Sequence, residues 1–287
     1  MRRHSLRTLL SCSSLVALLT ACSGTDLLNG LTPREGYGLE AGIAYGPDDR
    51  HRLDLYAPES GEPEAMVLFF YGGSWESGER GDYRFVGEAF ASQGLAVAIP
   101  DYRLYPPVRY PAFLEDSAAA VAWAHRHHKG PLFLVGHSAG AYNAVMLALD
   151  DRLLAAEGLR PCDTLAGVVG LAGPYDFLPL TDPALKAIFG PAAGRAATQP
   201  VAYVNPKAPP LLLLSGDADT VVRPRNSRIL AERQRAAGGK AEARFYDDLG
   251  HLRIVGALSR PLRAAAPVLD DIRRFIDTEG SAIQSGC

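Results

Sequence analysis

Two patterns of apolar and polar residues alternate along most of the chain. Short continuous apolar runs are typical of strands buried on both faces of a parallel sheet. Such runs occupy residues 66–71, 95–99, 131–135, 167–171, 211–214 and 243–246. Segments of helical period lie between or after them, at residues 83–93, 112–127, 139–149, 225–237 and 267–276. This alternation predicts right-handed crossovers and helices on both faces of one sheet.

A third pattern precedes the first apolar run. Residues 39–45 and 52–56 alternate apolar and polar positions, and the Gly-Pro-Asp-Asp sequence at residues 46–49 is a strong turn signal. We therefore predict an antiparallel hairpin here and a sheet of eight mostly parallel strands in total. No repeat or linker divides residues 37–287, which are predicted to form a single α/β domain.

The N-terminal residues resemble an export signal. Three arginines precede a short apolar stretch at residues 15–19, which is too short to span a bilayer, and small residues then lead to Cys22. This arrangement resembles the lipobox of bacterial lipoproteins, which implies removal of residues 1–21 and lipidation of Cys22. A plain secretory signal is the alternative.

A lipidated Cys22 would hold the protein on the membrane, because several acyl chains give stable anchoring. By the same resemblance to bacterial lipoproteins, Ser23 in place of an Asp implies the periplasmic face of the outer membrane. Residues 22–36 contain Gly, Pro and polar residues without a usable period, so we expect a short lipidated tether there.

Composition and charge exclude several classes of protein. The chain is 47% hydrophobic and 21% charged, which is ordinary for a globular enzyme and excludes disorder or coiled coil as a description of the whole. The net charge is −3, and it becomes −6 without residues 1–21, which carry three arginines and no acidic residue. A nucleic-acid partner is not expected, because such binders carry a basic excess.

The cysteines and histidines outside the motifs below are less informative. Cys162 and Cys287 would remain in an exported chain, and they either form a disulfide in an oxidising compartment or stay unpaired. His125 and His128 lie one helical turn apart but have no third ligand nearby, so a solvated helix end is expected there. We predict neither a metal nor an organic cofactor.

A nucleophile motif follows the strand predicted at residues 131–135. The sequence Gly-His-Ser-Ala-Gly leads from that strand into a helix, which is the context in which a G-x-S-x-G motif forms a nucleophile elbow. Side chains at Gly136 and Gly140 would collide with the elements around the sharp turn. The turn would present the Ser138 hydroxyl at a helix N-terminus, where developing negative charge is favoured. We expect His137 to pack or hydrogen bond inside the elbow.

A nucleophilic serine needs an imidazole as base and a carboxylate to orient it. His251 is the only histidine that follows Ser138 in the chain, and it lies just after the last predicted strand. Asp217 and Asp219 both follow the strand at residues 211–214, and their spacing alone does not choose between them.

The loop after the first buried strand reads Tyr-Gly-Gly-Ser-Trp, at residues 71–75. Its glycines leave backbone N–H groups free to face a substrate oxygen, which is what a tetrahedral intermediate requires. Taken alone, such a loop is equally consistent with a plain βα turn.

Together these motifs resemble those of α/β-hydrolases of the hormone-sensitive-lipase-like kind, close to the feruloyl/acetyl-xylan esterase and kynurenine formamidase-like branch. The resemblance covers roughly residues 37–277. Residues 71–75 resemble the family's His-Gly-Gly-x-Trp, with Tyr71 in place of the usual His, and residues 100–104 resemble its Asp-Tyr-Arg-Leu stretch. The resemblance implies the α/β-hydrolase fold.

The same resemblance implies further roles. The Gly-x-x-Asp-x-x-Val pattern favours Asp219 as the acid and leaves Asp217 as a structural residue. The oxyanion hole would be formed by three backbone N–H groups, those of Gly73, Ser74 and Ala139. Insertions such as residues 176–206 cap the pocket in relatives, so we expect a small cap with one short helix near residues 184–189.

The expected function is that of a lipid-anchored serine carboxylesterase, which acts through an acyl-enzyme on small or short-acyl esters, with a broad preference among acyl chains. An arylformamidase-type amide hydrolase is the nearest alternative. A catalytically silent, membrane-tethered binding protein is the alternative from another class, although the complete set of motifs argues against it.

Overall fold

The computed structural model describes residues 24–281, which form an eight-stranded sheet with helices on both sides. The strands are β1 Tyr37–Ala44, β2 Arg52–Pro58, β3 Met66–Phe70, β4 Ala96–Pro100, β5 Leu132–His137, β6 Gly167–Leu171, β7 Leu211–Gly216 and β8 Ala241–Tyr246. Their order across the sheet is β1-β2-β4-β3-β5-β6-β7-β8. β2 is antiparallel to both neighbours and the other pairs are parallel.

The described helices are α1 Gly24–Leu31, α2 Arg84–Ala91, α3 Ala112–His127, α4 Ala139–Leu149, α5 Asp151–Ala155, α6 Pro161–Thr164, α7 Pro183–Ile188, α8 Arg225–Ala236, α9 His251–Gly256 and α10 Val268–Gly280. Short 3-10 helices occupy Arg80–Tyr83, Ala192–Thr198, Pro200–Ala202 and Arg260–Ala265. The predicted α/β fold, with its hairpin and mostly parallel sheet, is confirmed.

Burial explains the two strand patterns. Every residue of β3 to β7 is buried, so these strands are continuous apolar runs rather than alternating ones. The outer strands β1 and β8 are exposed or half-buried over most of their length. Helix α4 is buried along all of its length, because it packs on β5 and β6 on one side and against α3 on another.

The insertion at residues 176–206 carries more structure than the one short helix that the sequence predicts. Helix α7 is present, and its N-terminus is capped by Asp182, whose Oδ1 accepts hydrogen bonds from Ala184 N at 2.7 Å and Leu185 N at 3.1 Å. Two of the 3-10 helices follow it. Phe189, directly after α7, packs edge-on against Trp75 with ring centroids 4.9 Å apart, so the insertion is fixed to the loop beside the elbow.

The expectation of a tether at residues 22–36 needs correction, because residues 24–31 form helix α1 and dock on the domain. Asn29 Nδ2 donates to Gly81 O at 2.8 Å, and Asn29 Oδ1 accepts from Phe85 N at 3.1 Å. These partners lie 52 and 56 residues away in sequence. A short helix stabilised by such distant contacts leaves no local pattern to detect.

Several predictions concern residues outside the described range. The signal peptide at residues 1–21 and the lipidation site at Cys22 lie outside it. Cys162, in α6, is disulfide-bonded, which contradicts the alternative of an unpaired thiol, and the expected partner Cys287 also lies outside the range. Within residues 24–281, the structure contains no helix with the length and apolarity that crossing a bilayer requires.

Candidate active site

Ser138 occupies the sharp turn between β5 and α4. Its backbone has φ 55° and ψ −120°, a conformation that non-glycine residues rarely adopt and that is strained. A Cβ at Gly136 would lie 2.3 Å from Gly140 O, and a Cβ at Gly140 would lie 2.0 Å from Phe70 O. Neither position can therefore hold a side chain, as the elbow motif predicts.

His251 connects Ser138 to Asp219. Its Nε2 lies 2.9 Å from Ser138 Oγ, and its Nδ1 lies 2.7 Å from Asp219 Oδ2. The three residues come from the turn after β5, the loop after β7 and the first position of α9, and the parallel strands bring them to one edge of the sheet. The structure thus brings together the serine, acid and base that the sequence proposes.

The environment of Asp219 keeps it ionised. Its other oxygen, Oδ1, accepts hydrogen bonds from Val221 N and Val222 N, both at 2.9 Å. Burial raises the pKa of Asp219, but the hydrogen bonds from His251 and from these two N–H groups outweigh it, so the pKa lies below its usual value. An ionised carboxylate in this position can stabilise a protonated imidazole.

Asp217 bonds the backbone of the loop before His251 rather than the imidazole. Its Oδ1 accepts a hydrogen bond from Asp248 N at 2.8 Å, and its backbone N donates to Tyr246 O at 3.0 Å. It therefore closes the turn between β7 and the loop that precedes His251. Of the two aspartates, Asp219 is the one that contacts the imidazole of His251.

His137, the residue before the serine, supports the histidine rather than replacing it. Its Nε2 lies 3.0 Å from His251 O, so Nε2 carries the proton and donates to that carbonyl. Burial, reinforced by nearby His251, lowers the pKa of His137 to about 3, so it stays neutral at neutral pH. Its hydrogen bond fixes the backbone of His251, as the sequence-based expectation of packing or hydrogen bonding allows.

The loop at residues 71–75 has an unusual backbone. Gly73, Ser74 and Trp75 have φ values of 127°, 54° and 61°. Ser74 and Ala139 line the same cleft as Ser138. Ala139 is the first residue of α4, so its N–H has no acceptor within the helix. Strain in consecutive residues beside a nucleophile is typical of a functional loop.

Tyr71 anchors this loop through a buried network that the sequence did not reveal. Its hydroxyl accepts from Arg50 Nη2 at 2.8 Å and donates to Asp101 Oδ1 at 2.9 Å, while Tyr102 Oη donates to Tyr71 O at 2.7 Å. Arg80 pairs with Asp101 on its other side. Burial raises the pKa of Tyr71 well above its usual value, so the hydroxyl stays protonated. The partners are far apart in the chain, so the sequence does not predict their contacts. The one indication in the sequence is Tyr71 itself, which replaces the usual His of the family motif.

Trp75 holds the other end of the loop. Its Nε1 donates to Asn143 Oδ1 on α4 at 3.0 Å, and its ring stacks on Phe113 at 5.5 Å. The side chain is buried, and Asn143 in turn donates to Ser117 Oγ at 3.3 Å. The loop and the helix that carries Ser138 are therefore held together directly.

A cleft of about 380 Å³ opens above the serine. Ser74, Trp75, Ser138 and Ala139 line it. The insertion contributes apolar walls, as the sequence predicts, through Phe177, Leu180 and Leu185. In residues 24–281 no group of three His, Cys, Asp or Glu side chains is placed to hold a metal ion, and His125 and His128 gain no third ligand.

Comparison with known proteins finds one matching family model and several proteins of similar sequence. The family model BD-FAE matches residues 53–233. Isoprenylcysteine alpha-carbonyl methylesterase ICME from Arabidopsis thaliana is 27% identical over 273 residues, which cover 83% of this chain and 62% of the relative. Esterase LipC from Mycobacterium tuberculosis is 26% identical over 279 residues, covering 88% and 67% respectively. This chain thus spans less than two thirds of the first relative.

Two further comparisons involve a relative that matches only part of this chain and a solved structure of low sequence identity. Kynurenine formamidase from Danio rerio is 29% identical over 113 residues, which cover 38% of each chain. A solved structure, a truncated form of carbohydrate esterase from gut microbiota, superimposes with a TM-score of 0.76 at 18% identity, covering 87% of this chain and 99% of the other. That structural likeness supports the fold alone.

Proposed function

Since this chain belongs to the BD-FAE family of α/β-hydrolases, whose model matches residues 53–233, we propose that it is a serine carboxylesterase. The observation that carries the proposal is the hydrogen-bonded series from Ser138 Oγ through His251 to Asp219. The first relatives are named as esterases, and the series has the geometry that nucleophilic catalysis by serine requires.

Each of the three residues has a distinct role in the proposed reaction. His251 Nε2 takes the proton from Ser138 as Oγ attacks the ester carbonyl. Asp219 holds the imidazole through Nδ1 and stabilises its protonated form. The protonated His251 then donates to the leaving alcohol, and the acyl group stays on Ser138.

The carbonyl oxygen becomes negative in this step, and the proposed oxyanion hole stabilises it. Its donors are the N–H groups of Gly73, Ser74 and Ala139, at the start of α4. Each donor of this kind is worth about 3 kcal/mol in the transition state. Water then attacks the acyl-enzyme with His251 as base, and the acid product leaves.

The size of the cleft supports small or short-acyl substrates. A volume of about 380 Å³ lies at the lower end of the usual range for small-molecule sites. The apolar side chains Phe177, Leu180 and Leu185 would contact an alkyl or acyl group. The test is a panel of 4-nitrophenyl acetate, butyrate and octanoate, with Ser138→Ala as the control. We expect the two short esters to be the better substrates, and preference for octanoate would contradict the proposed size.

A formamidase activity is the second candidate, favoured by the likeness to kynurenine formamidase. The same three residues would cleave a formyl amide by the same steps. N-formylkynurenine therefore belongs in the panel. A kcat/KM for this amide above that for every ester would replace the esterase proposal, and the absence of turnover on all substrates would favour a binding protein.

We also propose that Cys22 carries a lipid and holds the protein at the periplasmic face of a bacterial outer membrane. The support is the lipobox-like sequence and the position of α1, which begins at Gly24, is docked through Asn29, and exposes Leu27 and Leu31. The full chain expressed in a bacterium that processes lipoproteins should partition into detergent, and Cys22→Ser should stay in the aqueous phase. Equal partitioning of the two would contradict the anchor.

A further inference from the structure

Two arginines give the mouth of the cleft a positive charge. Arg223 and Arg225 line the same cleft as Ser138, and both are exposed. None of the residues between positions 24 and 281 that line this cleft is an Asp or a Glu. The chain as a whole is acidic, with 32 Asp and Glu against 29 Lys and Arg. The charge at this mouth is therefore opposite in sign to the net charge of the chain.

Neither arginine of the cleft forms an ion pair within residues 24–281, whereas arginines elsewhere in the sheet and its loops do. Arg80 and Arg103, for example, bond buried carboxylates. Arg225 Nη2 donates to the backbone carbonyl of Asp176 at 3.2 Å, which fixes the side chain without neutralising its charge. Arg223 forms no side-chain hydrogen bond or ion pair within residues 24–281. Both guanidinium groups keep donors for a ligand.

The same place is the start of helix α8. Arg225 is its first residue, no side chain caps its N-terminus, and its first turn contains no acidic residue. A helix N-terminus favours negative charge, so arginines there are locally unfavourable unless an anion accompanies them. Departures from local sequence rules of this kind are expected at functional sites.

The backbone around the two arginines is held in place. Asn226, the second residue of α8, is buried, and its Oδ1 accepts from Tyr175 N at 3.0 Å and Asp176 N at 2.8 Å. Its own Nδ2 donates to Arg223 O at 3.1 Å. The start of α8 is thus joined to the first residues of the insertion that walls the cleft.

We propose that Arg223 and Arg225 form a subsite for a carboxylate carried by the substrate, so that the preferred substrates are esters with an acidic group on the acyl or the alcohol part. This inference rests on the proposed esterase function and names its substrate class. A guanidinium binds a carboxylate through two parallel N–H···O bonds, which positions as well as attracts it. The apolar walls would contact the carbon chain between the acid and the reacting ester.

Two pairs of esters test the subsite on either side of the ester bond. The acyl pair is 4-nitrophenyl hydrogen adipate and 4-nitrophenyl hexanoate. The alcohol pair is 4-acetoxybenzoate and its methyl ester. The enzymes are the wild type, Arg223→Gln, Arg225→Gln, the double variant and Arg228→Gln. Arg228 lies on the same helix outside the cleft, with its guanidinium carbon 4.6 Å from the centre of the Phe245 ring, so it is the matched control for loss of one charge.

We expect the acid-to-neutral ratio of kcat/KM to fall about tenfold in the double variant for at least one pair, mainly through KM. Added NaCl should lower the wild-type ratio in the same direction, because it screens an exposed charge pair. Arg228→Gln should keep the wild-type ratio, and all variants should keep the wild-type Tm.

Other results would overturn the subsite. An unchanged ratio in the double variant for both pairs would do so. An equal loss on acidic and neutral members would also do so, because it would assign the arginines a structural role. Both results require a wild type that hydrolyses the neutral esters. A wild type that hydrolyses none of the four esters would instead contradict the proposed function itself.

Discussion

His251 Nε2 lies 2.9 Å from Ser138 Oγ, although the two residues are 113 positions apart in the chain. The turn after β5 fixes the serine, and the start of α9 fixes the histidine. Parallel strands end at one edge of the sheet, so distant loops meet there. This distance is within the range at which an imidazole can take a hydroxyl proton.

The choice between two aspartates gives the first prediction. Asp219→Asn should lower kcat by at least about 10²-fold, because an amide cannot stabilise the protonated imidazole and favours the wrong tautomer. Asp217→Asn should keep kcat within about threefold, since the Asp217 side chain accepts a hydrogen bond from Asp248 N, which the Asn oxygen can also accept. The measurement is steady-state hydrolysis of 4-nitrophenyl butyrate by both variants. A larger loss in Asp217→Asn would reverse the assignment.

The anchor of the oxyanion loop gives the second prediction. Tyr71→Phe removes hydrogen bonds to Arg50 and Asp101 inside the protein. We expect the free energy of unfolding to fall by about 1–3 kcal/mol. We also expect kcat to fall about tenfold, a fraction of the loss that follows complete removal of an oxyanion donor. Urea denaturation and steady-state kinetics measure the two effects.

The control for Tyr71→Phe is Tyr37→Phe. Tyr37 lies on the outer strand β1 and its hydroxyl donates to Pro33 O at 2.9 Å, so the same atom is lost far from the loop. Its kcat should equal that of the wild type. A Tyr71→Phe enzyme with unchanged kcat would show that the network serves stability alone.

The buried His137 gives a prediction about pH. Its pKa is about 3 in the folded protein, below the ordinary histidine value of about 6.5 that applies when it is unfolded. Below pH 6.5 the unfolded chain therefore binds a proton that the folded chain does not. The stability that this residue permits is fully present above pH 6.5 and is lost as the pH falls towards 3.

His137→Gln removes the titrating group and keeps an N–H donor for His251 O. Between pH 7 and pH 5, the wild type should lose about 2 kcal/mol more unfolding free energy than this variant. Urea denaturation at both pH values measures the difference. His125→Gln, which removes an exposed histidine, should follow the wild type. Parallel pH dependences for His137→Gln and the wild type would contradict the buried neutral state.

The sequence predicts correctly the helices and strands that a local pattern of residues determines. The bounds predicted for α3, α4 and β6 match the structure, because continuous burial or a helical period marks them from end to end. The sequence also predicts the nucleophile elbow, because Gly136 and Gly140 on either side of Ser138 have no room for a Cβ. These features depend on neighbours within a few positions.

The sequence does not predict structural features that depend on contacts between residues far apart in the chain. Helix α1 depends on Asn29 and residues of a later helix, and the Tyr71 network joins Arg50 to Asp101. Sequence spacing does not distinguish Asp219 from Asp217, because the folding of the loop after β7 decides which of them contacts His251. The charge of the cleft, on which the proposed preference for acidic substrates depends, is set by side chains from several distant segments. A local sequence pattern therefore does not predict it.

The most direct test of the account is the replacement of Ser138 by alanine. The purified variant should keep the wild-type Tm within a few degrees, and its kcat/KM for 4-nitrophenyl butyrate should fall by at least about 10³-fold, because no other side chain replaces the nucleophile. A variant that folds normally and hydrolyses this ester within about tenfold of the wild-type rate would contradict the assignment of Ser138, and with it the proposed mechanism.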